Sequence, residues 1–171
     1  FDHILEVATE RRVLASEGQL SQGQGAAVQH INSTFKDPYI AHSPIEPHTA
    51  TAVMENGRMK VWASCQTPYP TKEDIAEELG MEQKDVQLLP IFVGGGFGGK
   101  IYNPQATEAA RLAKLTGKPV QLVYTREEEF LYDRLRPAAA IKIDAGLNAE
   151  GRITYWDYAV HLGGGREAVH F

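Results

Sequence analysis

The residues with the most specific chemistry run from Val93 to Asn103 (VGGGFGGKIYN), where five of the six positions from Gly94 to Gly99 are glycine and Phe97 interrupts them. Such a hexapeptide loses more backbone entropy on folding than almost any other, so a folded chain keeps it where main chain must come very close to something. The partner expected here is a ligand. The flanks sharpen that expectation: Asp85 to Val93 (DVQLLPIFV) is an apolar run of strand length, and Asn103-Pro104 followed by QATEAARLAKLTG carries helix start and stop signals. A strand, a glycine loop and a helix N-terminus bring main-chain N–H groups and the helix dipole to bear on an anionic or oxo group.

Three other accounts of the loop stand beside this one. Gly94, Gly96 and Gly99 fit G-x-G-x-x-G, and Gly94, Gly99 and Lys100 fit most of G-x-x-x-x-G-K-[ST]. The phosphate-loop fit fails at Ile101, where a magnesium-binding hydroxyl belongs, and the dinucleotide fit has only the triplet Glu127 to Glu129 near the expected acidic position. A plain strand-to-helix corner needs one or two glycines, fewer than are present.

Other residue types invite weaker hypotheses. His42, Glu46 and His48 (HSPIEPH) form the best metal-like cluster, but their spacing fits neither H-E-x-x-H nor a zinc-finger pair, and a local hydrogen-bonding role is favoured. Glu127, Glu128 and Glu129 could pair as acid and base, or form a solvated helix start favoured by its dipole. Gln66, in ASCQTP, is by itself a residue at a strand end.

The elements that must position these residues are legible in outline. Residues 1 to 24 are polar and read as a short helix or an arm; Ala26 to Ile40 reads as extended chain with a turn at Asp37-Pro38. Thr49 to Glu55 and Arg58 to Gln66 form a hairpin about Asn56-Gly57, with Ala50, Ala52 and Met54 on one face and Met59, Val61 and Ala63 on the matching one, Trp62 opposite. Thr71 and Asp74 resemble a capping box for a helix ending near Gly80 with Ile75, Ala76 and Leu79 inward. Ala106, Ala109, Ala110 and Ala113 share a face of the second helix, which implies close packing on a sheet. Val120 to Thr125 reads as a strand, and Ala139 to Ala145 with Arg152 to Leu162 as a second hairpin. The class expected is α+β, a mixed sheet with β-hairpins and two helices.

At 171 residues, with 43% hydrophobic and 23% charged content, the chain reads as one folded domain, 1–171. A net charge of −5 without a block of Lys and Arg argues against nucleic acid and anionic membrane surfaces, and no apolar stretch reaches membrane-spanning length. The single cysteine, Cys65, excludes an internal disulfide and a Cys-held iron–sulfur cluster on this chain. Phe1 in place of Met, and Phe171 just beyond the run Gly163 to Gly165, read as ends cut from something longer, and the compartment stays open.

Gln66, the strand at Asp85 to Val93, GGGFGGK at Gly94 to Lys100 and TGKPVQLVYTREEEFL together resemble the molybdenum-cofactor-binding large subunit of the xanthine dehydrogenase and aldehyde oxidase family. HSPIEP and VWASCQTP look closest to its isoquinoline 1-oxidoreductase β-subunit branch. The resemblance implies that the chain is a fragment of the molybdopterin-binding region, holding molybdopterin in the full protein, with a cytosine dinucleotide form as one candidate, and holding none alone. It implies cofactor contacts from the Gln66 side chain and from main chain at Gly95, Gly96, Phe97, Gly98 and Gly99, with the metal held by its pterin rather than by side chains. It implies an oxidoreductase that hydroxylates an N-heterocycle or oxidises an aldehyde with water as oxygen source. The general base, a Glu, would lie outside this chain, leaving it inactive alone. The partners implied are a [2Fe-2S] small subunit, the rest of the large subunit and a small-molecule substrate. Ile101 stands where many members carry Glu, which favours a less polar substrate than a purine. A binding or assembly module of the same fold without cofactor, and a nucleotide-binding domain, are the alternatives.

Overall fold

The computed structural model describes residues 1–7 and 12–164; residues 8–11, within the polar N-terminal stretch, and 165–171, with the end of the glycine run, lie outside the described residues. The elements are α1 (Asp2–Val7), α2 (Leu20–Gly25), β1 (Gln29–Asp37), β2 (Ile40–Ala41), β3 (Thr49–Glu55), β4 (Arg58–Ala63), α3 (Pro68–Leu79), β5 (Val86–Pro90), α4 (Pro104–Thr116), β6 (Val120–Val123), α5 (Arg126–Tyr132), β7 (Leu135–Arg136), β8 (Ala138–Leu147) and β9 (Ile153–Gly163). Single 3-10 turns stand at Gln83–Asp85 and Gly99–Ile101. They form two compact units, residues 41–135 and residues 1–40 with 136–171.

The unit of residues 41–135 is built on a four-stranded sheet in the order β5-β4-β3-β6. Its seed is the expected hairpin. Asn56 and Gly57 take φ of 51° and 76°, the left-handed pair that a two-residue turn needs to match strand twist. The turn pairs Glu55 with Arg58, and so sets Ala50 opposite Ala63, Ala52 opposite Val61 and Met54 opposite Met59. Five of those six side chains are buried on one face, while Trp62 pairs with Thr51 on the other. Strand β5 joins β4 in parallel through the crossover of α3, and β6 joins β3 antiparallel, so the sheet is mixed and the class α+β.

Helices α3 and α4 cover the buried face. Ala106, Ala109, Ala110 and Ala113 of α4 are all fully buried in the same core as Ala50, Ala52, Val61 and Ile75. Alanine side chains let the helix backbone lie close over β3, and they lose no rotamer freedom on burial. Both helices end on a left-handed glycine, Gly80 at φ 58° and Gly117 at φ 66°, whose N–H groups return to the last turn.

Two expectations need correction here. Helix α3 opens at Pro68, not at Thr71: Thr67 is the N-cap, without a side-chain cap bond, and the buried Thr71 hydroxyl donates back to the Thr67 carbonyl at 2.8 Å. Pro68 and Pro70 fall among the first helical positions, whose N–H groups have no intrahelical acceptor, so they cost the helix nothing there. The strand leading to the glycine loop stops at Pro90 and not Val93, with Ile91 keeping one weak main-chain bond to Ala63 at 3.4 Å. Besides the two long helices, α1 and α2 are short, where the polar N-terminal stretch reads as a short helix or an arm, and α5 carries Glu127 to Glu129 in its first turn, one of the readings of that triplet.

The second unit holds a three-stranded antiparallel sheet, β1-β8-β9, with α1 and α2. The expected second hairpin, β8 to β9, gains β1 as its third strand, from Gln29 opposite Leu147 to Asp37 opposite Ala139. The register shifts between Gly146 and Leu147, where Thr154 is the extra, bulged residue of β9, and a Cβ at Gly146 would stand 2.3 Å from the Tyr155 ring.

Candidate functional site

Every residue the sequence singles out for chemistry lies in the unit of residues 41–135, and the glycine loop brings several together. Gly95 and Gly98 take φ of 93° and 102°, and between them Phe97 takes 55°. Its side chain stays 77% exposed. Strain of that kind in a non-glycine residue persists only where the surroundings hold it. Here the Gly99 N–H donates to the Gly96 carbonyl at 2.8 Å, and the Ile101 N–H to Gly98 at 3.3 Å, which folds the loop back on itself.

Gln66 sits under this fold. Its Oε1 accepts the Gly98 N–H at 3.1 Å, and its own N–H donates to the Lys100 carbonyl at 2.8 Å. A Cβ at Gly96 would stand 2.4 Å from the same Oε1, so glycine there lets the amide reach Gly98. Gln66 is exposed, and among the described residues its Nε2 has no acceptor. The main-chain N–H groups of Gly95, Gly96 and Phe97 also lack acceptors among the described residues. The six residues expected to meet a ligand, Gln66 and Gly95 to Gly99, are therefore brought together; Gly96 is buried, and Gln66 and Phe97 are the exposed members.

The strand–loop–helix expectation holds in part. A 3-10 turn, Gly99–Ile101, separates the glycines from α4, whose first residue is Pro104 and has no N–H to offer. The phosphate-loop account loses its lysine as well. Lys100 has no exposed side-chain surface and its Nζ lies 2.5 Å from Glu46 Oε2, a pair that leaves no ammonium for a phosphate.

Glu46 is the residue the sequence reading undervalued. Its Oε2 accepts the Gly94 N–H at 2.8 Å as well as Lys100, and its own N–H points to the Gly94 carbonyl at 3.5 Å. Burial pushes its carboxyl up, but the bonds from Lys100 and Gly94 outweigh that and hold it below the ordinary value. Asn103 completes the loop's exit: its Nδ2 donates to Thr71 Oγ1 at 2.9 Å and to the Lys100 carbonyl at 3.1 Å.

The cluster of His42, Glu46 and His48 separates. His48, 1% exposed, gives both its main-chain N–H and Nδ1–H to Glu129 Oε1, at 2.6 and 2.8 Å, and Arg126 bonds the other oxygen and the Pro44 carbonyl. Glu129 is thus the buried member of the acidic triplet, while Glu128 closes a capping box with Thr125 at the start of α5. His42 packs against Gly98 and Gly99, with Nδ1 3.9 Å from Asp133 Oδ2, and burial pushes the Asp133 carboxyl up. Glu46 and His48 each have their own hydrogen-bond partners, whereas His42 Nδ1 is buried without one, and among the described residues no group of three or more His, Cys, Asp or Glu is arranged to hold a metal. Cys65 is buried and its thiol is pushed up by that burial.

The molybdopterin cofactor-binding domain family matches residues 5–170. The xanthine dehydrogenase molybdenum-binding subunit of Escherichia coli is 34% identical over 140 residues, 81% of this chain and 19% of that protein. A nicotinate dehydrogenase subunit of Pseudomonas putida is 26% identical over 148 residues, 86% of this chain and 12% of that protein. The chain thus spans less than a quarter of the curated relatives it matches. Among solved structures, the aldehyde oxidoreductase of Desulfovibrio gigas superposes with a TM-score of 0.72 at 23% identity, over 80% of this chain and 15% of that one. Quinoline 2-oxidoreductase of Pseudomonas putida does so at 0.73 and 20%, over 83% and 18%. The structures share the fold, and the family match spans nearly the whole sequence, so this chain belongs to the molybdopterin cofactor-binding domain family.

Proposed function

We propose that this chain is the part of a molybdenum hydroxylase large subunit that lines the molybdopterin cofactor with the loop of Gly94 to Lys100 and with Gln66. The observation that carries the reading is the donor surface around Phe97: the N–H groups of Gly95, Gly96 and Phe97 and the Gln66 amide, all without acceptors among the described residues. A surface of neutral donors on a strained, glycine-permitted backbone fits a group whose rim is made of oxo and pterin acceptors. Bound there, the cofactor would supply the redox and oxygen-transfer chemistry.

The residues of this chain bind and orient. Gln66 accepts the Gly98 N–H through its Oε1, which leaves its Nε2 donors for the cofactor. By the loop, Glu46 is held by Lys100, and Glu129 by His48 and Arg126, while Asp133 and His42 stand against Gly99 with Nδ1 and Oδ2 3.9 Å apart. The general base is the Glu that the family resemblance puts in the rest of the large subunit. The substrate class is an N-heterocycle or an aldehyde, with Ile101, half exposed, favouring the less polar members. Electrons leave through a [2Fe-2S] small subunit.

The assembly-module reading also has an observation behind it, because each loop glycine has a reason within the loop: positive φ at Gly95 and Gly98, and contacts with Glu46, Gln66 and His42 at Gly94, Gly96 and Gly99. Gln66→Ala and Phe97→Ala in the full-length protein separate the two. Loss of molybdenum-dependent turnover of a heterocycle or aldehyde, with subunit assembly intact, is expected; unchanged turnover in both variants would favour the module.

A further inference from the structure

Glu46 and Lys100 do more than fill space beside the loop. They are fifty-four positions apart in sequence, and one oxygen, Glu46 Oε2, meets both ends of the glycine segment: the Gly94 N–H at 2.8 Å where it begins and Lys100 Nζ at 2.5 Å where it ends. The Lys100 carbonyl in turn accepts the Gln66 N–H at 2.8 Å. Six residues that include five glycines have little torsional preference of their own, so whatever fixes their two ends fixes the path between them. That path carries Phe97 at its strained φ and the Gly98 N–H that orients Gln66.

We propose that Glu46, acting through Lys100, is the positioning residue of the glycine loop, a latch that sets where the Phe97 main chain and the Gln66 amide stand. Its link to cofactor retention rests on the proposed function; its effect on the loop does not. The fully buried ammonium of Lys100 has the Glu46 carboxylate as its salt-bridge partner, so losing that charge leaves a buried cation unpaired and drives the side chain toward solvent.

The test uses the full-length subunit in its holoenzyme, with Glu46→Gln, Lys100→Met and the double variant. Acetylation of native protein by N-hydroxysuccinimide acetate, mapped by mass spectrometry, reads Lys100 against exposed Lys84 as reference. Molybdenum per subunit is measured on the same samples. In Glu46→Gln, Lys100 labelling is expected to rise about tenfold and molybdenum content to fall about tenfold, as for a group that fixes the cofactor's contacts at one remove. Because the two side chains act as one latch, the double variant is expected to lose no more molybdenum than the worse single variant, whereas independent packing roles would multiply. Lys100→Met removes the buried charge itself and supplies the molybdenum readout if Glu46→Gln does not accumulate. Unchanged Lys100 labelling in Glu46→Gln, multiplied losses in the double variant, or an opened Lys100 with full molybdenum would each overturn the proposal. A wild-type protein without molybdenum would instead overturn the proposed function, and Lys100 labelling would still decide the latch.

Discussion

The loop asks for glycine for two different reasons, and substitutions separate them. At Gly96 a Cβ would meet Gln66 Oε1 at 2.4 Å, so Gly96→Ala is expected to expel the flexible Gln66 amide from Gly98 and to cost about 1 kcal/mol in urea unfolding, the scale of a lost hydrogen bond. A cost near zero would mean that Gln66 has another resting place. Glu46 ties the same loop to pH. Its carboxyl is pushed up by burial but held, on balance, below its ordinary 4.5 by Lys100 and Gly94. A group with a lowered folded value binds protons more readily unfolded, so its contribution is complete above about 4.5 and is lost as pH falls through the folded value. Asp133 acts in the opposite sense: raised by burial, it contributes fully below its ordinary 3.8 and loses that contribution as pH rises through its folded value. In urea unfolding followed from pH 6 to 3, the stability difference between the native sequence and Glu46→Gln is expected to shrink as pH falls through the Glu46 value. Cys65 should resist thiol reagents in native protein and react only on unfolding, since it is buried and its thiol is raised.

Helix α4 ties the loop to the sheet, and its energetics follow from alanine. With Ala106, Ala109, Ala110 and Ala113 at zero exposure over β3, there is no room for a larger side chain. Ala109→Leu is expected to destabilise by about 1–3 kcal/mol by overpacking, a loss that chemical denaturation would register and that an exposed control such as Leu115→Ala would not. Elements of this kind were legible in the sequence because their signals are local. Asn-Gly between two alternating runs defines the β3–β4 hairpin, and alanines at helical spacing with a closing glycine define α4. The start of α3 misled because Thr71 and Asp74 imitate a capping box, while Pro68-Tyr69-Pro70 resembles a loop although a helix tolerates proline in its first turn. The side-chain partners were not legible. Glu46 meets Lys100 across fifty-four positions and His48 meets Glu129 across eighty-one, and no periodicity encodes such pairs. Gln66 stood out only through its resemblance to a known family, since a glutamine at a strand end carries no signal of its own.

At the scale of the whole molecule, the proposed function makes this chain one part of a larger subunit. It spans less than a quarter of these curated relatives, and its loop presents main-chain donors and an exposed phenylalanine, with His42 and Asp133 packed against Gly99. Its charge of −5 is spread without a basic block, so an anionic cofactor would be held by oriented N–H groups rather than by net charge. The isolated chain is accordingly expected to show no turnover of aldehydes or N-heterocycles under any electron acceptor. The most direct test is molybdenum and pterin analysis of the full-length protein purified from its own host, beside the isolated chain. Near-stoichiometric molybdenum with a pterin product in the full-length protein, and neither in the isolated chain, is the expected result. A folded, homogeneous full-length protein free of both, from a host that makes the cofactor, would contradict it.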